Sequence, residues 1–303
     1  MRPNPYLSVL AVLATLSILL VSCRAGAPTG GGSPTNQASI PSGKITGSGF
    51  NCPEPVPRYQ FASKELRLYT WTTYVPQDFI DCFQLLYGVT IKHDEYSSME
   101  EMSATVTADP AAYDLVQPTD FEVTALIQAG QLAPLDTNRL PVIANFNRHY
   151  LNLPYDMGNK YTIPYENGTD SILVNTTKVK DVPKSWADLW NTEFVGRLAM
   201  ADDERAVIGL TLLTLGYDVN TKDAGELEQA RRALLLLSPN IVAFDSDSPH
   251  SRLLAGEIDA AETWTGEAFL AELQTPTAQF IYPSEGALLW QDNWAMLKTT
   301  STP

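Results

Sequence analysis

From residue 64 onward the apolar positions switch between a period of two and a helical period. Leu66, Leu68 and Trp71 stand among polar neighbours, which predicts a strand, and Pro76 lies where a helix can begin. Phe79, Ile80, Phe83 and Leu86 recur at helical spacing until Gly88, which predicts a helix over 77–87. Residues 89–91 predict a strand, and Ser98 with Glu101 matches a capping box that opens the next helix. A strand over 113–117 and a helix from Asp120 to Gly130 follow. Strand and helix alternating in this way predict a mostly parallel sheet with helices on both faces.

A second series follows a stretch rich in Pro and Asn. Strands are expected at 171–175, 197–201, 241–244, 258–264, 279–282 and 288–296. Helices are expected at 186–190 (capped by Ser185), 205–215, 224–237 and from Ser248-Pro249. No repeat of fixed period runs through the chain. The economical organisation is α/β with two lobes and a cleft between them: lobe 1 over 64–167, lobe 2 over 168–291, and 292–303 returning to lobe 1.

The first residues have a different composition. Arg2 precedes an apolar run over 7–21 that is too short to span a bilayer comfortably, so 1–22 read as a signal peptide. Its end, Leu20-Val21-Ser22-Cys23, resembles the lipobox of bacterial lipoproteins, which implies cleavage before Cys23 and acylation of that residue. Residues 24–49 are Gly, Ser, Thr, Pro and Ala with few large apolar side chains, and the whole of 23–63 is expected to be a flexible tether. With Cys23 lipidated, Cys52 and Cys82 remain as an even pair in an exported chain, open to a disulfide or to two buried thiols.

Thirty-five acidic residues against twenty Lys and Arg give a net charge of -15, which argues against nucleic acid or an anionic membrane surface as partner. In open α/β sheets ligands sit on the loops that leave strands. Trp71 and Tyr74 fall on one such loop, as do the carboxylates of 202–204 and Trp264 with Glu267, while Trp290 with Asp292 sits where the chain leaves the second lobe. Aromatics and carboxylates with little Arg or Lys suit an extended organic cation. Ring faces hold its methylene and ammonium flanks at about 0.5–2 kcal/mol per contact, and carboxylates take its charged ends. Trp186 and Trp190 are expected to pack a helix on its sheet, and Asp245-Ser246-Asp247-Ser248 to cap a helix rather than hold a metal. His93, His149 and His250 are scattered and receive no role, and neither metal nor cofactor is expected.

At these residues the chain resembles the spermidine/putrescine-binding proteins that serve ABC importers, which have the type 2 periplasmic binding fold. The motifs are Tyr-Thr-Trp-Thr-Thr-Tyr-Val-Pro (69–76), Ala-Tyr-Asp-Leu-Val-Gln-Pro-Thr (112–119), Ser-Trp-Ala-Asp-Leu-Trp (185–190) and Ala-Asp-Asp-Glu-Arg (201–205). Ala-Phe-Asp-Ser-Asp (243–247), Trp-Thr-Gly-Glu-Ala-Phe (264–269) and Leu-Trp-Gln-Asp (289–292) complete the set. The resemblance implies that Trp71 and Tyr74 are the first-lobe aromatics of a polyamine site and Thr119 its hydroxyl contact. Phe121 stands where many members have tyrosine. Asp203 matches an acid of lobe two, Trp264 and Trp290 match aromatic walls, and Asp292 matches the carboxylate for a terminal amine. Glu267 matches a carboxylate of putrescine-type members.

Two departures stand out. The family's second acid, three residues after Asp203, is here Ala206, so Glu204 or Glu267 compensates or the ligand carries less charge at that end. The chain ends at Pro303, whereas members of the family continue with closing helices and further contacts, so a truncated frame or partial domain is expected. The implied function is a monomeric, lipid-anchored receptor in the periplasm or on the outer face of the cytoplasmic membrane. It captures putrescine or spermidine for an ABC permease and is not an enzyme. The rival readings are the same fold with another small amine or amino-acid-like solute, and a carboxylate-based glycoside hydrolase.

Overall fold

A computed structural model describes residues 41–55, 59–61 and 63–300. The expected signal peptide, Cys23 and the first part of the expected tether lie outside the described residues. The last part of that stretch is not a plain tether. β1 (Pro41–Ile45) pairs antiparallel with β2 (Asn51–Pro53), and Cys52 is disulfide-bonded to Cys82. Closing a loop of about 30 residues contributes about 3.7 kcal/mol in the chain-entropy view. Cys82 sits on α1, so the entry hairpin is fixed to the body by a covalent bond.

The body begins with β3 (Glu65–Trp71), α1 (Gln77–Tyr87), β4 (Thr90–Tyr96), α2 (Met99–Ala108), β5 (Leu115–Val116) and α3 (Asp120–Gln128). Gly88 ends α1 in the left-handed conformation with φ 62°, which costs glycine nothing and other residues about 1–2 kcal/mol. Ser98 caps α2 by accepting the Glu101 N–H, while Glu101 reaches back to Ser97 rather than to Ser98. β3 pairs in parallel with β4 and with β5. Between them Tyr69, Tyr96, Met99, Met102, Val106 and Val116 form the first core.

β6 (Thr162–Asn175) then runs for fourteen residues, and β7 (Leu198–Met200), α4 (Glu204–Thr214), α5 (Ala224–Leu237) and β8 (Ile241–Phe244) follow. α6 (Pro249–Ala255), β9 (Ala260–Trp264), α7 (Thr265–Gln274), β10 (Ala278–Ile281) and β11 (Leu288–Met296) complete the described strands and α-helices. Two further cores flank the second half of β6. Ile172 and Val174 pack on one face with Trp186, Leu198 and Leu210, and Leu173 packs on the other with Ala199, Leu253 and Ala268. Separate cores on either side of the middle of β6 are what a two-lobed α/β fold requires.

The nine strands β3 to β11 form one sheet, in the order β4-β3-β5-β11-β6-β9-β7-β8, with β10 also on β6. It is mixed rather than mostly parallel. Each lobe keeps a parallel set, but β11 is antiparallel to β5 and β6, and β6 is antiparallel to β9 and β10. The alternation of strands and helices predicts the parallel sets. The long return strands carry no such signal, because they cross from one lobe to the other without a crossover helix. β6 begins at Thr162, nine residues before the expected strand. Its middle, Tyr165-Glu166-Asn167, is exposed between the two cores and therefore lacks an apolar pattern.

Candidate functional site

All nine residues singled out from the sequence line one cavity of about 420 Å³ between the lobes. Trp71 and Tyr74 come from the loop that leaves β3. That loop is turned tightly: Thr73 has φ 63°, a strained value for a β-branched residue, and its N–H is held by Glu95 at 2.9 Å. The Tyr74 carbonyl accepts the Tyr165 hydroxyl of β6 at 2.7 Å, which ties the loop to the inter-lobe strand. Trp71 packs on Tyr96, with ring centres 4.8 Å apart. Phe121 lies in the first turn of α3 and packs against the first core.

Thr119 is the N-cap of α3, yet its hydroxyl does not cap the helix. It donates instead to Oδ1 of Asp292 at 2.5 Å. Asp292 is 2 % exposed, and this burial pushes its carboxyl up to about 7, against the opposing hydrogen bonds of Thr119 and Tyr74. The same burial raises the Tyr74 phenol well above its usual range, and the Asp292 charge adds to it. The lobe-1 end of the cavity is therefore a carboxyl held between a hydroxyl and aromatic rings.

The second lobe contributes Asp203, Trp264, Glu267 and Trp290. Asp203 is the N-cap of α4 and accepts the Ala206 N–H at 2.8 Å. Burial pushes it up to about 6 despite that bond and the nearby Arg205. Trp264 ends β9 and begins α7. Glu267, one turn into α7, is buried, and burial raises its carboxyl. His250 opposes that rise by placing Nδ1 2.5 Å from Oε2. Nothing in the sequence pointed to His250 as that partner. Glu204, one of the two acids considered as replacements at the Ala206 position, is exposed and does not line the cavity, whereas Ala206 does.

Trp290 donates its indole N–H to Oδ1 of Asp170 at 3.0 Å. Its ring lies across Gly168 of β6, where an added Cβ would overlap Cζ2 of the indole. Glycine is required there by the close approach. Asp170 was not foreseen from the sequence. It opens an apolar strand segment, where a buried acid looks like the last polar residue of a turn.

Six carboxylates line the cavity (Asp120, Asp170, Asp203, Asp247, Glu267 and Asp292) against one guanidinium, that of Arg205. Arg205 is already engaged with the Val219 carbonyl and with Asn220. Five aromatic residues complete the walls: Trp71, Tyr74, Phe121, Trp264 and Trp290. Such a space repels anions and offers a cation both ring faces and unneutralised acceptors. Among the described residues no group of His, Cys, Asp and Glu has the arrangement of a metal site. No helix among them is long and apolar enough to cross a membrane.

Comparison with known proteins gives a consistent family. Residues 78–303 match the family of bacterial extracellular solute-binding proteins. The spermidine/putrescine-binding periplasmic protein 1 of Haemophilus influenzae is 35% identical over 241 residues, covering 78% of this chain and 67% of that protein. Among solved structures, a spermidine/putrescine ABC transporter substrate-binding protein from Streptococcus pneumoniae superposes with a TM-score of 0.64 at 30% identity, over 79% of this chain and 74% of that one. A lipoprotein of Treponema pallidum gives a TM-score of 0.71 at 30% identity, over 78% and 76%.

Proposed function

The chain belongs to the bacterial extracellular solute-binding proteins, and on that premise we propose that it captures a polyamine and delivers it to the permease of an ABC importer. The observation that carries this reading is the charge of the cavity: six carboxylates, one engaged guanidinium and five aromatic rings. A protonated aliphatic amine satisfies both halves of that lining, because its methylenes lie on the rings and its ammonium groups donate to the carboxylates. The Haemophilus influenzae and Streptococcus pneumoniae relatives are described as spermidine/putrescine proteins, which supports the same ligand class here.

The nine residues foreseen from the sequence form the proposed site, with Asp292 at the lobe-1 end and Asp203 and Glu267 at the other. The lobes are proposed to close by bending β6 and β11, the strands that pass between them. The proposed role is capture without turnover. A monomer anchored outside the cytoplasmic membrane through Cys23 is the arrangement we favour, and the lipoprotein relative supports the anchor. Calorimetric titration with putrescine, spermidine and spermine tests the function. Trp264→Ala and Asp292→Asn are each expected to weaken binding by about tenfold or more. Unaltered affinity in both variants would show the site to be elsewhere.

A further inference from the structure

Asp170 and Glu262 form an acid pair that neither the sequence motifs nor the roles proposed above employ. The strand register brings them together. On β6 and β9, Asp170 lies opposite Trp264 and Ile172 lies opposite Glu262. Side chains two residues apart on a strand share a face, so Asp170 and Glu262 are diagonal neighbours on one face of the sheet. On the other side of β6, β11 places Leu288 opposite Asp170, Trp290 opposite Gly168 and Asp292 opposite Glu166. Asp170, Trp290 and Asp292 thus stand along one side of the cavity floor.

Glu262 is fully buried. Its Oε2 accepts the Ala201 N–H at 2.8 Å, and its Oε1 has no hydrogen-bond partner. Asp170 is 9 % exposed, and Trp290 donates to its Oδ1. The other charges acting on the pair are acidic, namely Asp203 at the start of α4 and Asp292 on β11. Among the described residues neither acid forms an ion pair with Lys, Arg or His, and the Arg205 guanidinium is turned to Val219 and Asn220. Burial raises both carboxyls, Glu262 to about 7; the charge of Asp203 adds to both, and that of Glu262 adds to the rise of Asp170. Two buried acids without a cation are costly to a fold, and of the two Asp170 lines the cavity, where a ligand's ammonium can offset that cost.

We propose that Asp170, backed by Glu262, is a second cation seat of this cavity, and that Asp170 and Asp292 bracket the two ends of a short aliphatic diamine. This rests on the polyamine reading above and assigns the ligand's second end within it. The dimensions follow from the register. Asp170 is four residues along β6 from the partner of Asp292, which at about 3.4 Å per residue sets their backbone positions about 14 Å apart; both carboxyls line the same cavity, and the charge of Asp292 reaches Asp170. An extended chain advances about 1.2 Å per bond, so 1,4-diaminobutane measures about 6 Å between its nitrogens. A charge-assisted hydrogen bond of about 2.8 Å at each end brings the span to about 12 Å. Spermidine, with nine bonds between its terminal nitrogens, needs about 17 Å on the same reckoning.

The test compares 1,4-diaminobutane, spermidine and 1-aminobutane by calorimetry on the purified chain and on Asp170→Asn, which keeps an acceptor for Trp290. The unaltered chain is expected to bind the diamine about 100-fold more tightly than the monoamine, and Asp170→Asn to reduce that ratio by about tenfold or more. Glu262→Gln is expected to reduce it by about threefold through the seat it backs. A general loss of structure would weaken diamine and monoamine alike, and thermal melts of both variants identify which of them is folded. A ratio unaltered in folded Asp170→Asn overturns the seat while leaving the polyamine function standing. Tighter binding of spermidine than of the diamine overturns the bracket. An unaltered chain that binds no amine refutes the polyamine reading itself.

Discussion

The two ends of the cavity solve opposite problems. At the lobe-1 end, Trp71, Tyr74 and Phe121 form an aromatic wall whose one deep carboxyl, Asp292, is already hydrogen-bonded by Thr119. At the lobe-2 end, Asp203, Asp170 and Glu262 lie close enough to repel one another, and one oxygen of Glu262 has no partner. The first end is a shaped, satisfied surface that a hydrocarbon chain can lie on. The second keeps an electrostatic deficit that a cation relieves. Lobe 1 thus offers mainly shape around one deep carboxyl and lobe 2 mainly charge, so a ligand that fits both joins an apolar stem to an ammonium group at each end.

The strongest way to break this contrast is to fill the gap under the indole that separates the two ends. Gly168→Val forces Trp290 off β6 and breaks its bond to Asp170, so both wall and seat are disturbed together. Calorimetry is expected to record a loss of diamine affinity of about 30-fold or more. Retention of affinity would mean that Trp290 does not shape the site.

Next in size is a pH effect confined to the deep acids. Asp203 at about 6, and Glu262 and Asp292 at about 7, hold protons in the folded chain that the unfolded chain loses near its ordinary carboxyl range. Their contribution to stability is complete below about pH 4 and is lost as pH rises through about 7. The ligand-free melting temperature is therefore expected to fall between about pH 5 and pH 7.5. Saturating diamine should flatten or reverse that slope, because a bound cation favours the ionised acids. An identical slope with and without diamine would separate these acids from binding.

The smallest expected effect sharpens the lobe-1 side. Thr119→Val removes the hydroxyl that Asp292 accepts and raises that carboxyl further. Affinity for the diamine is expected to drop by about fivefold near pH 6 and by less near pH 8, where Asp292 ionises without help. An equal loss at both pH values would point to altered packing in place of altered charge.

Much of this was legible in the sequence, because the informative signals were local. Ser98, Gly88 and Asp203 mark helix ends through hydrogen bonds within a few residues of themselves, and the alternation of Leu66, Leu68 and Trp71 marks a strand by its own period. Seven of the nine residues lie where a strand gives way to a helix, and such loops converge at the ends of parallel strands, whereas Trp290 and Asp292 reach the cavity from within the antiparallel strand β11. Tertiary structure alone decided the rest. The early start of β6 at Thr162, the mixed sheet, the hairpin at 41–53 in place of a plain tether, the His250–Glu267 contact and the Asp170–Glu262 pair all depend on residues far apart in the chain. A sequence announces what each residue needs from its immediate neighbours, but register between distant strands decides which acids share a face, and with it where the unpaired charge is left.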